Sequence, residues 1–402
     1  MNNVKSDFPI LDKKIRDKTI TYLDSAASTQ KPTQVIHSIS EFLENSYENV
    51  HRGMNSLSID ATDLYEKSRE TAKSFINANS TNEIIFTRGA TDSINIIANS
   101  LAEHLNKGDK IVVTELEHHS NYLPWMHLCK KLELELKIIP ISKEGILSED
   151  EIINNCDDTT KVLSITHMSN VTGQILDIKK IKQEINKDIY VAVDGCQSIA
   201  HLNIDVKDLD CDFYSFSSHK LYGPSGIGIM YGKEDILNQL NPPTLGGGMI
   251  NEVSSNDFSY AMLPNKFEPG TPSIEAAIGF KAAMEYLNNI NYQDYFSKEK
   301  KLRSTLISAL NDFEEIEIYG SNENGNATSI VSFNIKNKNF NDIATFLDQY
   351  GIMIRGGHHC CQPFMKKLGI PGSCRVSFGI YNDINDIDHF VDSMKKTLKL
   401  LQ

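Results

Sequence analysis

Two histidines and two adjacent cysteines stand together in the segment RGGHHCCQPF, residues 355–364. Such side chains could bind a metal ion, form a disulfide or provide a nucleophile. A metal site is disfavoured because four consecutive side chains do not readily converge on one ion, and a disulfide between neighbouring cysteines would be strained. A nucleophilic thiol on a glycine-flanked loop remains, with a packed structural loop as the simpler alternative.

A second segment, DFYSFSSHKLYGPSGIG, runs from a strand-like stretch into Ser217, Ser218, His219 and Lys220 and then into a glycine-rich turn. Lysines avoid partly buried positions of this kind unless they are paired or functional. A desolvated lysine near other cations has a lowered pKa and can act as an amine nucleophile. The preceding hydroxyls and histidine would be placed to bind a phosphate group.

Four further polar residues lie at or soon after the ends of apolar, strand-like runs. Thr91 stands where a helix is predicted to start, and free backbone N–H groups at a helix start bind phosphate. Asp194 ends the run IYVAVD, with Gln197 one turn later, and His118 follows KIVVTE. Taken alone, Thr91 and Asp194 are more often ordinary caps of a helix or turn.

These positions together match the needs of pyridoxal phosphate, which are an aldehyde partner, phosphate ligands, an acid for the pyridine nitrogen and a stacking group. The candidates are Lys220 for the aldehyde, Thr91, Ser217 and His219 for the phosphate, Asp194 for the nitrogen and His118 for stacking. Because open α/β sheets place ligands at the carboxyl ends of their strands, one sheet edge could gather all of them.

The elements that must position these groups are short apolar runs alternating with longer periodic ones. The strand-like runs are EIIFT, KIVVTE, LELKIIPI, KVLSITH, IYVAVD, CDFYSFS and GIGIMYG. This alternation predicts an α/β fold with a large, mostly parallel, seven-stranded sheet covered on both faces. The periodic stretches PTQVIHSISEFLENS, SIDATDLYEKSRETAKSFI and IEAAIGFKAAMEYLNNI are predicted helices, and residues 241–273 are the longest predicted structureless loop.

We expect three parts of the chain. Residues 1–30 form an N-terminal segment that packs with the small domain, and residues 31–285 form the large cofactor-binding domain. Residues 286–402, in which strand-like and helical stretches follow a different order, form a small α+β domain that carries the cysteine loop.

Composition narrows the class of protein. The 402 residues are 40% apolar and 23% charged, which is ordinary for a globular protein. The net charge of −13 disfavours nucleic acid or an anionic membrane as a partner. No secretory signal or membrane span is visible, and the seven scattered cysteines do not suggest a disulfide framework. We therefore expect a cytoplasmic enzyme in a reduced compartment.

The order and spacing of six motifs indicate a particular protein family. They are THMSNVTG, VDGCQS, SFSSHKLYGPSGIG, FEPGTP, RGGHHCCQPFM and CRVSFGIYN. Over almost its whole length the chain resembles the class II, or Suf-type, cysteine desulfurases of the class V aminotransferase family. The resemblance implies a pyridoxal-phosphate-dependent, aminotransferase-like fold of type I.

The resemblance also implies roles around the cofactor. Lys220 would bind it covalently, and Asp194 would hold its pyridine nitrogen. His118 would stack on its ring and would be a catalytic residue, as would Lys220 and Cys360. Gln197 would donate a hydrogen bond to the ring hydroxyl, with Asn170 beside it.

The phosphate ligands implied by the resemblance are Thr91, Ser217 and His219, joined by Thr271 from the neighbouring subunit. A homodimer follows from that last contact. Ala90 stands where the family often has a hydroxyl residue, so one phosphate contact could be missing.

On the substrate side, Cys360 would accept the sulfur, Arg375 would clamp the substrate carboxylate, and Arg355 sits where the family also has an arginine. The implied reaction converts L-cysteine to L-alanine with a persulfide on Cys360, and a Suf-type acceptor protein would receive the sulfur for iron-sulfur cluster assembly. The alternatives are a selenocysteine lyase, an aminotransferase or an inactive scaffold. Cys361 departs from the family pattern, and we interpret it as an idle neighbour rather than a resolving thiol.

Overall fold

A computed structural model of the chain describes residues 4–320 and 326–401. The strands are β1 Lys14–Ile15, β2 Lys18–Thr19, β3 Thr21–Tyr22, β4 Ile84–Thr87, β5 Lys110–Thr114, β6 Glu135–Ile139, β7 Thr160–Thr166, β8 Tyr190–Asp194, β9 Phe213–Ser217, β10 Gly228–Gly232, β11 Ile250–Val253, β12 Phe258–Tyr260, β13 Ile316–Tyr319, β14 Ile330–Ile335, β15 Ile352–Met353, β16 Arg355–Gly357 and β17 Ser373–Ser377. The α-helices are α1 Thr33–Asn45, α2 Ser56–Phe75, α3 Ala90–Leu101, α4 Leu123–Leu132, α5 Glu149–Asn154, α6 Ile178–Glu184, α7 Ser198–His201, α8 Val206–Leu209, α9 Glu234–Gln239, α10 Ile274–Asn288, α11 Tyr292–Asn311, α12 Phe340–Asp348, α13 Gln362–Lys367 and α14 Ile384–Leu401. Single turns of 3₁₀-helix lie at Val4–Asp7, Pro9–Asp12, Thr81–Glu83, Ala102–His104, His119–Asn121, Ser218–Lys220 and Asn265–Phe267.

The large sheet has seven strands in the order β4-β10-β9-β8-β7-β5-β6. The five strands from β9 to β6 run parallel, and β10 is antiparallel to both of its neighbours. Ile111 and Val113 pack into one hydrophobic core and Val112 into the other, because side chains alternate between the two covered faces of the sheet. The predicted mostly parallel, seven-stranded α/β sheet is confirmed.

The predicted N-terminal helices form as α1 and α2, and both pack against α10. The loop predicted over residues 241–273 is wrong as a structureless segment, because β11 and β12 form an antiparallel hairpin within it. Ser254 Oγ accepts from Asp257 N and closes the hairpin turn. Strands of four and three residues are too short for hydrophobic alternation to reveal them.

A second, four-stranded antiparallel sheet of order β13-β14-β17-β16 follows α10, with α11 and α12 packed against its strands and α14 packed against these two helices. The N-terminal strand β3 pairs in parallel with β15, and Asp24 forms a bridge with Ser377 at the end of β17. We propose the predicted divisions near residues 30 and 285 as the domain boundaries. No helix within residues 4–320 and 326–401 is long and apolar enough to cross a membrane.

Candidate active site

One cavity of about 330 Å³ brings together most of the predicted site residues. It is lined by the candidates Thr91, His118, Asn170, Asp194, Ser217, His219, Lys220, Arg355, Cys360 and Arg375. Its volume falls in the range of about 300–1,000 Å³ that small-molecule sites occupy. Gln197 and Thr271 are the two candidates that do not line it.

Asp194 lies at the carboxyl end of β8 and is only 5% exposed. One of its oxygens accepts a hydrogen bond from Cys196 N at 2.9 Å. Among the residues that the structure describes, no cationic side chain forms an ion pair with it. A buried carboxylate is costly unless a cation or strong donor faces it, so a protonated ring nitrogen in the cavity would meet the need of this group.

Lys220 ends the 3₁₀ turn that follows β9. Its ammonium group makes no hydrogen bond or ion pair with any residue in the described parts of the chain, although it lines the cavity. A partly buried lysine amine without a partner suits covalent attachment to an aldehyde.

The start of α3 provides an anion site beside these groups. Gly89 precedes the helix with φ +146°, a conformation that favours glycine, and Ala90 N donates to Ser217 Oγ at 2.8 Å. Thr91 Oγ1 and Ser120 Oγ are 2.7 Å apart, so a second hydroxyl joins Thr91 at this helix start. Backbone N–H groups, the helix dipole and these hydroxyls form the donor set that a phosphate requires.

The two histidines beside the lysine are both uncharged at neutral pH. Burial, assisted by the charge of Lys220, lowers the pKa of His118 to about 3 and that of His219 to about 4. His118 Nδ1 accepts from Ser120 N at 3.1 Å, so the neutral ring carries its proton on Nε2. A neutral, oriented imidazole is suited to stacking on an aromatic ring.

The opposite wall contains the cysteine loop. His359 and Cys360 have φ values of +52° and +53°, a left-handed conformation that costs about 1–2 kcal/mol for each residue with a side chain. Asn170 Nδ2 donates to His359 O at 2.8 Å, and His119 N donates to Cys360 O at 2.7 Å. His359 Nε2 also donates to Ser373 O at 3.0 Å. The strained turn is therefore held in place by contacts from three other segments of the chain.

The two adjacent cysteines differ in every respect that matters for reactivity. Cys360 is exposed and lines the cavity, whereas Cys361 is fully buried with its Sγ 3.7 Å from Glu115 O. Burial raises the pKa of the Cys361 thiol well above its usual range. All seven cysteines are free thiols, and in the described residues no cluster of three or more His, Cys, Asp or Glu side chains could hold a metal ion.

The two candidate arginines lie opposite each other on neighbouring strands, Arg355 on β16 and Arg375 on β17. Arg375 is only 2% exposed and donates through Nη1 to Asn170 O at 2.9 Å. Both guanidinium groups contact the carboxylate of Asp24. The sequence interpretation missed Asp24, whose only signal was a single acid after the strand-like TYL of the N-terminal segment.

The two remaining candidates lie elsewhere. Gln197 Nε2 donates to Ala26 O at 2.9 Å, and the side chain is buried next to the cavity rather than lining it. Thr271 lines a separate cavity of about 380 Å³, together with Arg88 and Gly226. The predicted contacts of these two residues, Gln197 with the ring hydroxyl and Thr271 with the phosphate of the neighbouring subunit, stay predictions.

The residues present fit pyridoxal phosphate. The cavity offers an unpartnered lysine amine, a buried carboxylate in need of a cationic partner, a neutral imidazole and a helix start with hydroxyl groups. These four groups match, in the same order, the aldehyde, the ring nitrogen, the ring face and the phosphate of the cofactor.

Residues 21–390 match the family described as aminotransferase class-V. The chain belongs to this family. The predicted family and type I fold are thus confirmed, together with pyridoxal phosphate as the cofactor that the family uses.

Individual relatives of this class V chain carry a more specific name than the family does. A protein of Staphylococcus epidermidis named probable cysteine desulfurase is 43% identical over 396 residues, which cover 98% of this chain and 96% of that protein. A solved cysteine desulfurase from Thermococcus onnurineus, in its apo form, is 36% identical with a TM-score of 0.93, covering 98% of this chain and 97% of that one. The cysteine desulfurase CsdA of Escherichia coli, solved as an S-sulfonic acid, is 33% identical with a TM-score of 0.90, covering 98% of each chain.

Proposed function

We propose that this class V chain is a cysteine desulfurase that converts L-cysteine to L-alanine and keeps the sulfur as a persulfide on Cys360. One observation carries the proposal: an exposed thiol lines the same cavity as Lys220, Asp194 and Arg375. Full-length relatives named cysteine desulfurases support it.

The reaction needs no external oxidant. The C–S bond of the substrate breaks, an S–S bond forms between the substrate sulfur and Cys360, and the substrate carbon gains a proton. L-cysteine and a protein thiol therefore yield L-alanine and a protein persulfide, with atoms and electrons in balance.

Four residues position the substrate and move protons. Bound pyridoxal phosphate supplies an aldehyde for amines and an electron-accepting ring. Lys220 would hold the cofactor through its amine, and its Nζ would take the proton from the substrate Cα. Asp194 would keep the ring nitrogen protonated, Arg375 would bind the substrate carboxylate, and His118 would hold the ring through stacking.

Cys360 acts as the nucleophile. Its thiolate attacks the substrate sulfur, and its exposed position leaves the resulting persulfide open to an acceptor. Cys361 takes no part, because its thiol is buried and its raised pKa keeps it protonated.

The finer assignments extend this proposal. The chain is a Suf-type, cytoplasmic enzyme whose persulfide passes to a Suf-type acceptor protein for iron-sulfur cluster assembly. It works as a homodimer in which Thr271 reaches the phosphate of the neighbouring subunit. The position of Thr271 outside the cavity of its own chain supports this arrangement.

A mass measurement tests the proposal directly. The purified holoenzyme is incubated with L-cysteine, alkylated and digested, and added sulfur is located by peptide mass spectrometry. Additional sulfur on Cys360, with L-alanine released, is the expected result. Sulfur on no cysteine while a second keto acid is consumed would instead identify an aminotransferase, and a clear preference for selenocysteine would identify a selenocysteine lyase.

A further inference from the structure

The arginines of the substrate wall form an arrangement that needs an anion. Arg355 and Arg375 are direct partners in the register of β16 and β17, and like charges directly opposite on neighbouring strands destabilise a sheet. Asp24 supplies the compensating charge. Its carboxylate accepts from Arg355 Nη2 at 2.8 Å and Nε at 3.0 Å, and from Arg375 Nη2 at 3.3 Å.

The backbone fixes the position of Asp24. The residue bridges in parallel to Ser377, and Ser377 N donates to Leu23 O at 2.8 Å. Arg375 lies two residues before Ser377 on the same strand, so the side chains of Arg375 and Ser377 point to the same face of the sheet. Asp24 is 13% exposed at its side chain, which strengthens its interactions with both cations.

The two arginines differ in how many of their N–H donors are already hydrogen-bonded to Asp24. Arg355 makes its charge-assisted hydrogen bonds to Asp24 through both Nε and Nη2. Arg375 gives Asp24 one longer bond from Nη2 and gives Asn170 O one bond from Nη1. Its buried Nε has no hydrogen-bond partner among the residues that the structure describes. Arg375 therefore retains free donors for a ligand carboxylate, while Asp24 engages Arg355.

We propose that Asp24 is a positioning residue that sets the specificity of the carboxylate subsite. Two cations and one fixed anion leave a net charge of +1, enough for the single carboxylate of a substrate amino acid. By engaging Arg355, Asp24 removes the cation that a second carboxylate would need, so the site rejects dicarboxylic amino acids. The inference rests on the proposed function, because it takes the ligand to be an amino acid bound through Arg375.

L-alanine and L-aspartate form a matched pair of probes, because they differ by one carboxylate. Their dissociation constants are measured by calorimetry on the holoenzyme of the wild type, Asp24→Asn and Asp348→Asn. Asp348 forms a comparable ion pair with Arg16, at 2.6 Å, in an exposed position outside the cavity and serves as the control. We expect the wild type and control to prefer alanine, and Asp24→Asn to shift the ratio of the two constants towards aspartate about tenfold.

Two further variants keep the test decisive. In Asp24→Asn/Arg355→Gln one cation remains, so the ratio should return to that of the wild type. In Arg355→Gln alone, Asp24 is free to compete for Arg375, so alanine should bind about tenfold more weakly. If Asp24→Asn does not fold, this variant carries the test.

The outcomes separate the inference from the function on which it rests. An unchanged ratio in folded Asp24→Asn, or unchanged alanine binding in Arg355→Gln, would overturn the role of Asp24. Failure of the wild type to convert L-cysteine to L-alanine would overturn the proposed function, whatever the ratio of the two constants.

Discussion

The two walls of the cavity are built in opposite ways. On the sheet wall, Asp194 ends β8 and Lys220 lies three residues after the end of β9, so regular strands bring both to one edge. On the loop wall, Cys360 lies in a left-handed turn held by hydrogen bonds from distant segments. The first wall holds its groups through buried secondary structure, whereas the second holds an exposed thiol through a few individual contacts.

This difference matches the tasks that we propose for the two walls. The sheet wall binds a cofactor that stays in place, which favours buried, rigid groups. The loop wall must present a sulfur first to the substrate and then to another protein, which requires exposure. Substitutions on the two walls should therefore fail in different ways.

The largest effect is expected for Lys220→Ala on the sheet wall. Loss of the amine removes both the covalent attachment of the cofactor and the proton transfer at the substrate Cα, so turnover of L-cysteine should fall about a thousandfold or more. The visible absorption of the holoenzyme should change as well. Lys131→Ala, on the exposed surface of α4, is the control and should alter neither quantity. An unchanged spectrum in Lys220→Ala would exclude the lysine as the attachment site.

A comparable loss of turnover, with a different signature, is expected for Cys360→Ser on the loop wall. The nucleophile is lost, so L-alanine release should fall about a thousandfold, but the cofactor spectrum and its response to L-cysteine should remain. Cys361→Ala is the matched control next in sequence. It should keep persulfide formation and lose about 1–2 kcal/mol of unfolding free energy, because a buried side chain is shortened. Wild-type turnover in Cys360→Ser would contradict the assignment.

The sheet wall could be predicted from residue patterns alone, because apolar strands of regular length end in polar residues and parallel strands share one edge. Asp194, Lys220 and Ser217 were located in this way, and the structure places all three at one cavity. The residues alone gave a nucleophile somewhere in HHCC, whereas its assignment to Cys360 came from the resemblance. Local sequence does not encode which of two adjacent thiols a left-handed turn will expose.

Long-range contacts account for what the sequence did not reveal. Asp24 acts on Arg355 and Arg375, more than 330 positions later in the chain, and no local pattern indicates such a pairing. Thr271 was assigned from the resemblance alone, and Gln197 was found one turn after Asp194 but took its contact with the ring hydroxyl from the resemblance. Neither lines the cavity within this chain. Their predicted roles depend on a second subunit and on bound cofactor.

An intermediate effect is expected for Asn170→Ala, which tests whether the loop wall depends on single contacts. Asn170 Nδ2 donates to His359 O, next to Cys360. Loss of this hydrogen bond, worth about 1 kcal/mol, should slow persulfide formation about fivefold and leave the cofactor spectrum unchanged. Rapid mixing of holoenzyme with L-cysteine, followed by alkylation, measures the rate. A changed spectrum with an unchanged rate would place the role of Asn170 at the cofactor ring instead.

The smallest expected effect is on the pH dependence of the free energy of unfolding. It applies to both walls, because each contains a histidine kept neutral mainly by burial. The pKa is lowered to about 3 for His118 on the sheet wall and to about 2 for His359 on the loop wall. Each folded-state pKa lies below the unfolded value of about 6.5. The unfolded chain therefore binds more protons in acid, and the stability that each group contributes is complete above about pH 6.5 and lost as the pH falls towards the folded-state pKa of that group.

Replacing one of these histidines should therefore reduce the sensitivity of the fold to acid. Between about pH 7.5 and about pH 5.5, His118→Gln should lose about 1.4 kcal/mol less unfolding free energy than the wild type, measured by urea unfolding at both pH values. The exposed His104 provides the control, and His104→Gln should follow the wild type. If His118→Gln loses as much stability as the wild type, then the ring of His118 takes up a proton in the folded protein, which is incompatible with a buried, neutral imidazole at the cofactor.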